Sequence, residues 1–199
     1  MQVDTLIKKV LVVVAHPDDE TIWCGGLLLR NKEKWNVTIL SLCRKDDPDR
    51  APKFFKVCKE YNASGVMSDL EDENPEKDLP SLDEIVKRVN TLIKDKHFDL
   101  ILTHGKTGEY GHKRHIETHK AILIMLKQKI ISTKKILFFS YKLNNGFCVA
   151  NESADVVVRL DSSEMAKKKF IIMNKYGFSK GCFEEKSCSD VESFDEVID

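Results

Sequence analysis

One short apolar run near the start of the chain constrains the fold more than any other feature of the sequence. Residues 10–15 read VLVVVA, a run that is rich in β-branched side chains and does not alternate with polar ones. A strand with one solvated face would alternate, whereas a strand covered on both faces of a parallel sheet stays apolar throughout. We therefore predict that this run is the central strand of a parallel sheet.

Strand-like and helix-like patterns alternate along the rest of the chain. Further apolar runs lie at 37–42, 98–103, 135–141 and 155–160, with a weaker one at 65–67. Amphipathic helical patterns separate them, at about 52–61, 81–93, 112–126 and 161–177. Such alternation is typical of right-handed βαβ units, so the predicted fold class is α/β, a three-layer sandwich around a mostly parallel sheet.

The length and the charge balance narrow the class of partner. A chain of 199 residues predicts a single domain over 1–199, with an acidic C-terminal tail from about residue 184 that we expect to be solvated or loosely docked. The 32 basic residues balance the 32 acidic ones, which disfavours nucleic acid and anionic membranes as partners. A small molecule is favoured instead, and the oligomeric state, including a homo-oligomer, stays open.

The sequence is also expected to have neither a membrane span nor a signal peptide. No apolar stretch reaches the roughly 18 residues that a membrane span requires, and residues 1–9 lack the apolar core of a signal peptide. The six cysteines form no CxxC pair, which is typical of free thiols in a reducing compartment. We therefore expect a cytoplasmic protein without a membrane span.

Five of the six histidines fall at or just after the ends of two predicted strands. His16 follows the run 10–15, and the other four lie between His104 and His119, after the run 98–103. Because the carboxyl ends of parallel strands converge on one crevice, we expect these two groups to face each other although about ninety residues separate them. The sequence thus predicts one site built from two distant segments.

The spacing within both segments favours a metal. A catalytic zinc site needs three nitrogen or oxygen ligands with a fourth position left for water. His16, Asp19 and one histidine of the second segment supply that number, and His119 competes with His115 because HxxxH on one helix face binds zinc. The alternative interpretation is a set of polar caps, in which Asp18 or Asp19 caps the following helix.

Two motifs carry a resemblance to a known family. Residues 12–20 read VVVAHPDDE and are followed by Gly25 and Gly26, and residues 103–115 read THGKTGEYGHKRH. Both motifs, in this order and at about this distance, resemble the LmbE-like or PIG-L-like family of zinc-dependent N-deacetylases that act on amino-sugar conjugates. The resemblance covers roughly residues 9–125 and implies a Rossmann-like fold.

The resemblance also implies roles for individual residues. It makes His16, Asp19 and His115 the ligands of Zn²⁺, although histidine and carboxylate also accept other divalent metals. Asp18 would be the general base that takes a proton from the attacking water. His112 would lie beside the substrate carbonyl and, if protonated, would be the cationic donor that stabilises the developing charge.

A weaker resemblance covers residues 46–65, where the family has an arginine before a helix. It implies that Arg50 binds sugar hydroxyls and that Asp72, in the next loop, accepts hydrogen bonds from them. For both residues a plain surface charge is the alternative. Lys113 and Arg114 stand in the second motif where the family often has Pro-Asp, which we expect to make the rim of the site more positive.

The leading functional hypothesis is an enzyme, a metal-dependent amidase that removes the acetyl group from an N-acetylglucosamine-type amide with a metal-activated water. Its partner would be a small-molecule amino-sugar conjugate. Two alternatives stay open: a metal-dependent hydrolase of another bond, such as a phosphoester, and a non-catalytic Rossmann-like small-molecule-binding module. The first strand is followed by HPDDE and not by a glycine-rich phosphate loop, and these carboxylates would repel a phosphate.

Overall fold

The computed structural model describes residues 7–74, 77–79 and 81–196. The strands are β1 (Lys8–Val14), β2 (Trp35–Cys43), β3 (Ala63–Leu70), β4 (His97–Phe98), β5 (Leu100–Thr103), β6 (Ser132–Thr133), β7 (Ile136–Phe139), β8 (Tyr141–Asn144), β9 (Phe147–Ala150), β10 (Val156–Arg159) and β11 (Val191–Asp195). The helices are α1 (Asp19–Asn31), α2 (Arg50–Glu60), α3 (Asp83–Leu92), α4 (Gly108–Gly111), α5 (Lys113–Lys127), α6 (Ser162–Phe170), which continues into a π-helical turn (Ile171–Tyr176), and α7 (Phe183–Ser187).

A seven-stranded sheet in the order β10-β11-β7-β5-β1-β2-β3 forms the central layer of the described fold. Strands β7, β5, β1, β2 and β3 run parallel, whereas β10 and β11 are antiparallel to their neighbours. The predicted α/β class with a mostly parallel sheet is therefore confirmed. Among the described helices, none combines the length and the hydropathy that crossing a membrane would require.

Strand β1 lies in the interior of the sheet, and its side chains are buried in the apolar cores on both faces. Val10, Val12 and Val14 belong to the core beneath α1 and α2, whereas Leu11 and Val13 belong to the core beneath α3 and α5. All five side chains are fully buried. Two-sided burial explains why the run carries no polar alternation, since neither face of the strand meets water.

Two predicted strands differ from those observed. The run 98–103 is divided between β4 and β5 at Asp99, whose carboxylate accepts a hydrogen bond from the backbone of Lys9 at 2.8 Å. Within the run 135–141, the parallel pairing of β7 with β5 ends at Phe138 and the strand ends at Phe139, after which the chain enters an antiparallel hairpin of β8 and β9. Short apolar runs do not show where pairing stops, because that depends on neighbouring strands.

The expectation of a solvated or loosely docked acidic tail from about residue 184 is wrong. Strand β11 lies inside the sheet between β10 and β7, and Glu192, Ser193 and Phe194 are fully buried. The composition of the segment is acidic, but its one fully buried acid has a buried cation as partner. Lys168 Nζ lies 2.7 Å from Glu192 Oε1, and both side chains are inaccessible to solvent.

Glu192 also satisfies backbone groups that helix α1 leaves unpaired. The helix is interrupted at Cys24, where the backbone has φ −144° and ψ 15°. Gly26 and Leu27 donate their N–H groups to Glu192 Oε1 and Oε2 at 2.7 and 2.8 Å. The C-terminal strand therefore holds the helix that follows the first motif, because buried N–H groups need an acceptor.

We predict that removing one partner of the buried Lys168–Glu192 pair strongly destabilises the fold. Lys168→Met leaves a buried carboxylate without its cation and should lower the free energy of unfolding by about 3–5 kcal/mol, measured by urea denaturation. The double variant Lys168→Met with Glu192→Gln should cost less than the sum of the two single changes, because it leaves no uncompensated charge.

Lys175 provides the matched control, since its partly exposed pair with Glu60 spans the same 2.7 Å. Lys175→Met should lower stability by less than about 1 kcal/mol. Equal losses for Lys168→Met and Lys175→Met would contradict the role assigned to the buried pair.

Candidate active site

The ends of β1 and β5 bring the two histidine segments together, as the sequence predicts. The two strands are parallel neighbours, with Val13 paired to Thr103. His16 lies just beyond β1, and His115 lies in the first turn of α5, after the loop that follows β5. His16 Nδ1 lies 3.2 Å from His115 Nε2, across 99 positions of sequence.

Three donor atoms at this point form a nearly equilateral triangle. His16 Nδ1 lies 3.2 Å from Asp19 Oδ2, and His115 Nε2 lies 3.4 Å from the same oxygen. Together with the 3.2 Å between the two nitrogens, these are the sides of the triangle. Ligand atoms about 2.0–2.1 Å from a tetrahedral metal lie about 3.4 Å apart. The donor set and its spacing therefore fit a zinc-type ion.

Each imidazole in the triangle has its other ring nitrogen on a carboxylate. His115 Nδ1 lies 2.6 Å from Glu109 Oε2, and His16 Nε2 lies 3.2 Å from Asp72 Oδ2. An N–H donated to a carboxylate leaves the opposite nitrogen with its lone pair directed at the triangle. Metal-ligating histidines have this support, which fixes the tautomer and the orientation of the ring.

Asp19 is held as a carboxylate with one oxygen turned to the triangle. Its Oδ1 accepts a hydrogen bond from Trp23 Nε1 at 2.9 Å, and its Oδ2 accepts one from the His16 backbone at 2.8 Å. Burial opposes ionisation, but His115 and His104 hold the pKa of Asp19 well below its usual range. Trp23 is fully buried, so its indole packs in the core and fixes the position of Asp19.

Glu109 is a site residue that the sequence analysis did not single out. It stands in the left-handed region at φ 58°, and its Oε2 accepts hydrogen bonds from His104 Nδ1 at 2.8 Å and from His115. Burial opposes ionisation, yet these two histidines lower the pKa of Glu109 to about 2. One sequence feature could have pointed to Glu109: it is an acid inside the glycine-rich segment GEYGH, and a turn at this segment places it beneath the histidines.

His104 and His119 support the site from behind the triangle. His104 Nε2 accepts a hydrogen bond from the backbone N–H of Ala15 at 2.9 Å, so that lone pair is occupied even though Asp19 lies nearby. His119 Nδ1 donates to the carbonyl of His104 at 2.9 Å, and its ring packs against Phe138. Among the residues described, His119 joins none of the groups of converging donors.

A second group of donors shares His16 with the triangle. His16, Cys43 and Asp72 each place a donor atom within 4.8 Å of the others. Burial raises the pKa of the Cys43 thiol far above its usual range, which keeps the sulfur protonated and a poor ligand. The triangle of His16, Asp19 and His115 is the better candidate because Asp19 is already ionised and His16, with a pKa of about 8, loses its proton far more readily than the Cys43 thiol does.

Asp18 lies beside the triangle in a strained conformation. Its backbone has φ 121°, and Glu20 Oε2 accepts the Asp18 N–H at 3.1 Å. Arg50 Nη1 donates to Asp18 Oδ2 at 3.0 Å. Burial and the charge of Asp19 raise the pKa of Asp18 well above its usual range, although Arg50 opposes the shift. Such a carboxylate is a stronger proton acceptor than one in water.

His112 lies against both histidines of the triangle. Its ring centroid is 4.7 Å from that of His16 and 4.7 Å from that of His115, and its buried Nδ1 has no hydrogen-bond partner in the described part of the chain. Burial and the two neighbouring imidazoles lower the pKa of His112 to about 3. The ring is therefore neutral, which differs from the protonated form considered in the sequence analysis.

A cleft of about 410 Å³ opens above these residues, and Arg50 and Asp72 both line it. The sequence analysis expected them to bind substrate, and the structure pairs them with the site itself. Asp72 Oδ2 accepts hydrogen bonds from His16 and from Arg44 Nη2, the latter at 2.9 Å, whereas Arg50 contacts Asp18. Arg44 was not anticipated, because its position depends on the left-handed backbone at φ 69° that ends β2.

The expected positive rim from Lys113 and Arg114 does not form. Arg114 is fully buried, and its Nη1 donates to Glu117 Oε2 at 2.6 Å. Lys113 Nζ lies 3.3 Å from Asp78, and neither cation lines the cleft. Helix α5 directs Arg114 to Glu71 and Glu117 and Lys113 to Asp78, so both charges are paired outside the cleft.

The fold and the site together define an α/β protein with a candidate metal centre at the carboxyl edge of its sheet. Residues 11–126 match the family model described as PIG-L: GlcNAc-PI de-N-acetylase, and the chain belongs to this family. The matched segment contains both histidine segments and all seven predicted site residues. The resemblance that the two motifs carry is thus confirmed.

Individual relatives agree with this assignment. The 1D-myo-inositol 2-acetamido-2-deoxy-alpha-D-glucopyranoside deacetylase of Corynebacterium diphtheriae is 25% identical over 150 residues, which cover 58% of this chain and 51% of that protein. The chain spans about half the length of the curated relatives of this name that it matches.

Solved structures extend the likeness over most of the fold. A conserved protein from Thermus thermophilus superposes with a TM-score of 0.68 at 16% identity, covering 96% of this chain and 95% of that one. The N,N'-diacetylchitobiose deacetylase of Pyrococcus horikoshii gives a TM-score of 0.65 at 16% identity, covering 89% and 73%. At these identities the likeness establishes the fold alone.

We predict that the triangle binds about one divalent metal per chain. His16→Ala, Asp19→Ala and His115→Ala should each lose the metal, whereas His119→Ala should retain it, as measured by elemental analysis of the purified proteins. Glu109→Gln should weaken metal affinity by about 10- to 100-fold, because it loosens the orientation of His115. Full metal content in the His115 variant would refute the assignment.

We also predict that metal affinity falls as the pH is lowered. Burial opposes protonation, but Asp19 and Asp72 raise the pKa of His16 from 6.5 to about 8. Below about pH 8 a metal must displace a proton from His16 of the metal-free protein, so affinity should fall towards pH 6 with a slope that approaches about tenfold per pH unit. Competition with a chromophoric chelator measures this dependence.

Asp72→Asn is the informative variant for this dependence. It removes one of the two carboxylates that raise the pKa of His16, so the fall in affinity should begin at a lower pH. Affinity that stays constant between pH 6 and 8 in the unaltered protein would contradict the prediction.

Proposed function

We propose that this chain is a zinc-dependent hydrolase that removes the acetyl group from an N-acetylglucosamine-type amide, with release of acetate and a free amine. The observation that carries the proposal is the triangle of His16, Asp19 and His115 with the carboxylate of Asp18 beside it. Membership of a family described by de-N-acetylation supports the choice of bond. The proposed partner is a small-molecule amino-sugar conjugate, which suits a cleft of about 410 Å³.

The three ligand residues set what a metal would contribute. A divalent ion held by two neutral imidazoles and one carboxylate keeps a net positive charge, so it supplies Lewis acidity that activates a water and polarises the amide carbonyl. Zinc fits this donor set, and other divalent ions share its preference for nitrogen and oxygen. The chain itself provides the proton transfers and the placement of the substrate.

Asp18 is the proposed proton acceptor for the attacking water. It adjoins the ligand Asp19 in sequence, yet the φ of 121° turns its side chain towards Arg50 and the cleft. Arg50 fixes one carboxylate oxygen at 3.0 Å and so limits its rotation. The raised pKa of Asp18 favours uptake of the proton, which the same carboxyl can then return to the leaving amine.

His112 is the proposed donor to the carbonyl oxygen. Its ring lies between the ligand histidines and the cleft, and a neutral imidazole retains one N–H that can be directed at a developing negative charge. A neutral donor forms no repulsive charge beside a metal ion, which a protonated ring would. The low pKa of His112 is therefore compatible with this role.

Substitutions at these two residues separate chemistry from metal binding. Asp18→Asn should retain the metal and the fold but lose deacetylation by about a hundredfold or more, the usual scale for a positioned general base. His112→Ala should also retain the metal, with a loss mainly in kcat because its contact strengthens as charge develops. Assays of acetate release from N-acetylglucosamine conjugates, at confirmed metal content, measure both effects.

Asp83→Asn is the control for loss of one surface carboxylate. Asp83 is exposed in the first turn of α3, so its substitution should leave the rate of acetate release unchanged. Near-normal turnover by Asp18→Asn would contradict the mechanism even if the metal site proves correct. Absence of acetate release from every N-acetylated sugar tested, with metal present, would contradict the proposed function.

A further inference from the structure

The outer wall of the cleft comes from a segment that lies beyond the family match at residues 11–126. Phe183 and Glu184, the first two residues of α7, both line the cleft. The short helix is tied to the rest of the described fold: Lys169 Nζ lies 2.6 Å from Glu185 Oε1, and Ser187 Oγ accepts the N–H of Cys148 at 3.0 Å. The wall is therefore a built feature of the cleft.

The wall combines an aromatic face with an acid. Phe183 packs edge-on against Tyr110, with ring centroids 4.9 Å apart, and Tyr110 lies 6.5 Å from Trp23. Glu184 follows directly and is half-buried, and its carboxylate makes no ion pair with any residue of the described chain. An apolar ring face and polar edges on the ligand would match these surroundings, as in a sugar.

The cleft carries more negative than positive charge. Two arginines face five carboxylates, and each arginine already has an acid as partner: Arg44 with Asp72 at 2.9 Å and Arg50 with Asp18 at 3.0 Å. The five carboxylates are those of Asp18, Asp19, Asp47, Asp72 and Glu184. With all five carboxyl groups ionised the excess is three negative charges, of which a bound divalent metal would offset two. Neither of the two arginines that line the cleft is without an acidic partner.

Asp47 and Glu184 are the two acids of the cleft that do not engage an arginine side chain or the metal triangle. Asp47 accepts the backbone N–H groups of Asp49 and Arg50 at 2.9 and 2.8 Å, which lowers its pKa and fixes it at the start of α2. The carboxylate of Glu184 makes no ion pair within the described chain, and its contact there is a hydrogen bond with the thiol of Cys182. Its charge is thus not offset by a cation of the fold and can act on a ligand.

We propose that Glu184 makes the cleft selective for uncharged or cationic amino-sugar conjugates and against those with a phosphate next to the sugar. The inference rests on the proposed deacetylase function and adds the charge class of the substrate. Selectivity of this kind comes from repulsion of the wrong ligand, since an anion beside Phe183 would meet the charge of Glu184 while both arginines of the cleft are already paired with acids.

Matched substrates test the charge class. The metal-loaded enzyme is assayed on methyl N-acetylglucosaminide, its aminoethyl counterpart and N-acetylglucosamine 1-phosphate, which differ in charge next to the same sugar. The phosphate should have a kcat/KM at least about tenfold below that of the methyl glycoside, with the difference mainly in KM. Raising the ionic strength from about 0.05 to 0.5 M should narrow the difference.

Variants of Glu184 assign the effect to this residue. Glu184→Gln should raise the ratio of kcat/KM for the phosphate to that for the methyl glycoside by about threefold, and Glu184→Lys by about tenfold or more. Glu33→Gln, at the opposite edge of the sheet between α1 and β2, should leave the ratio unchanged. Retained far-UV circular dichroism confirms that α7 substitutions have not unfolded the protein.

The possible outcomes distinguish failure of this inference from failure of the proposed deacetylase function on which it rests. Equal kcat/KM for phosphate and methyl glycoside, or a ratio that does not move in Glu184→Lys, would overturn the inference and leave deacetylation standing. If none of the three sugars releases acetate, the proposed function fails and the inference fails with it.

Discussion

The carboxylate of Glu109, shared between His104 and His115, is the interaction on which the site depends. One oxygen lies 2.8 Å from His104 and 2.6 Å from His115, and His104 in turn accepts the N–H of Ala15 at the end of β1. This chain of contacts joins the loop after β5 to the end of the neighbouring strand. It sets the spacing between His115 and His16 before any metal binds, because each group in the chain has its partner within the protein.

The site also concentrates backbone strain at the carboxyl ends of the strands. Asp18, Arg44 and Glu109 all have positive φ, a conformation that costs of order 1–3 kcal/mol for residues other than glycine. Hydrogen bonds to the side chains hold each of them there, as Arg50 does for Asp18. The positive φ angles that place these functional groups therefore lower the free energy of unfolding. The Glu192 of the buried Lys168–Glu192 pair in turn holds helix α1, which begins at Asp19.

The sequence predicts those features that depend on spacing and periodicity. Two-sided burial of β1, the convergence of His16 with His115 and the place of Asp18 all follow from strand order and motif spacing. The bridging role of Glu109, the pairing of Asp72 with His16 and the cleft position of Glu184 depend on how loops fold over the sheet. The C-terminal segment was misjudged because composition counts its acids but not the buried Lys168 that compensates Glu192.

The central claim is that His16, Asp19 and His115 form the metal centre, with Cys43 outside it although it also converges on His16. X-ray absorption spectroscopy at the zinc edge of the loaded protein tests this directly. The account predicts a shell of only nitrogen and oxygen at about 2.0–2.1 Å, with the outer-shell scattering of two imidazoles. A sulfur at about 2.3 Å, or the scattering of a single imidazole, would place the ion elsewhere and contradict the account.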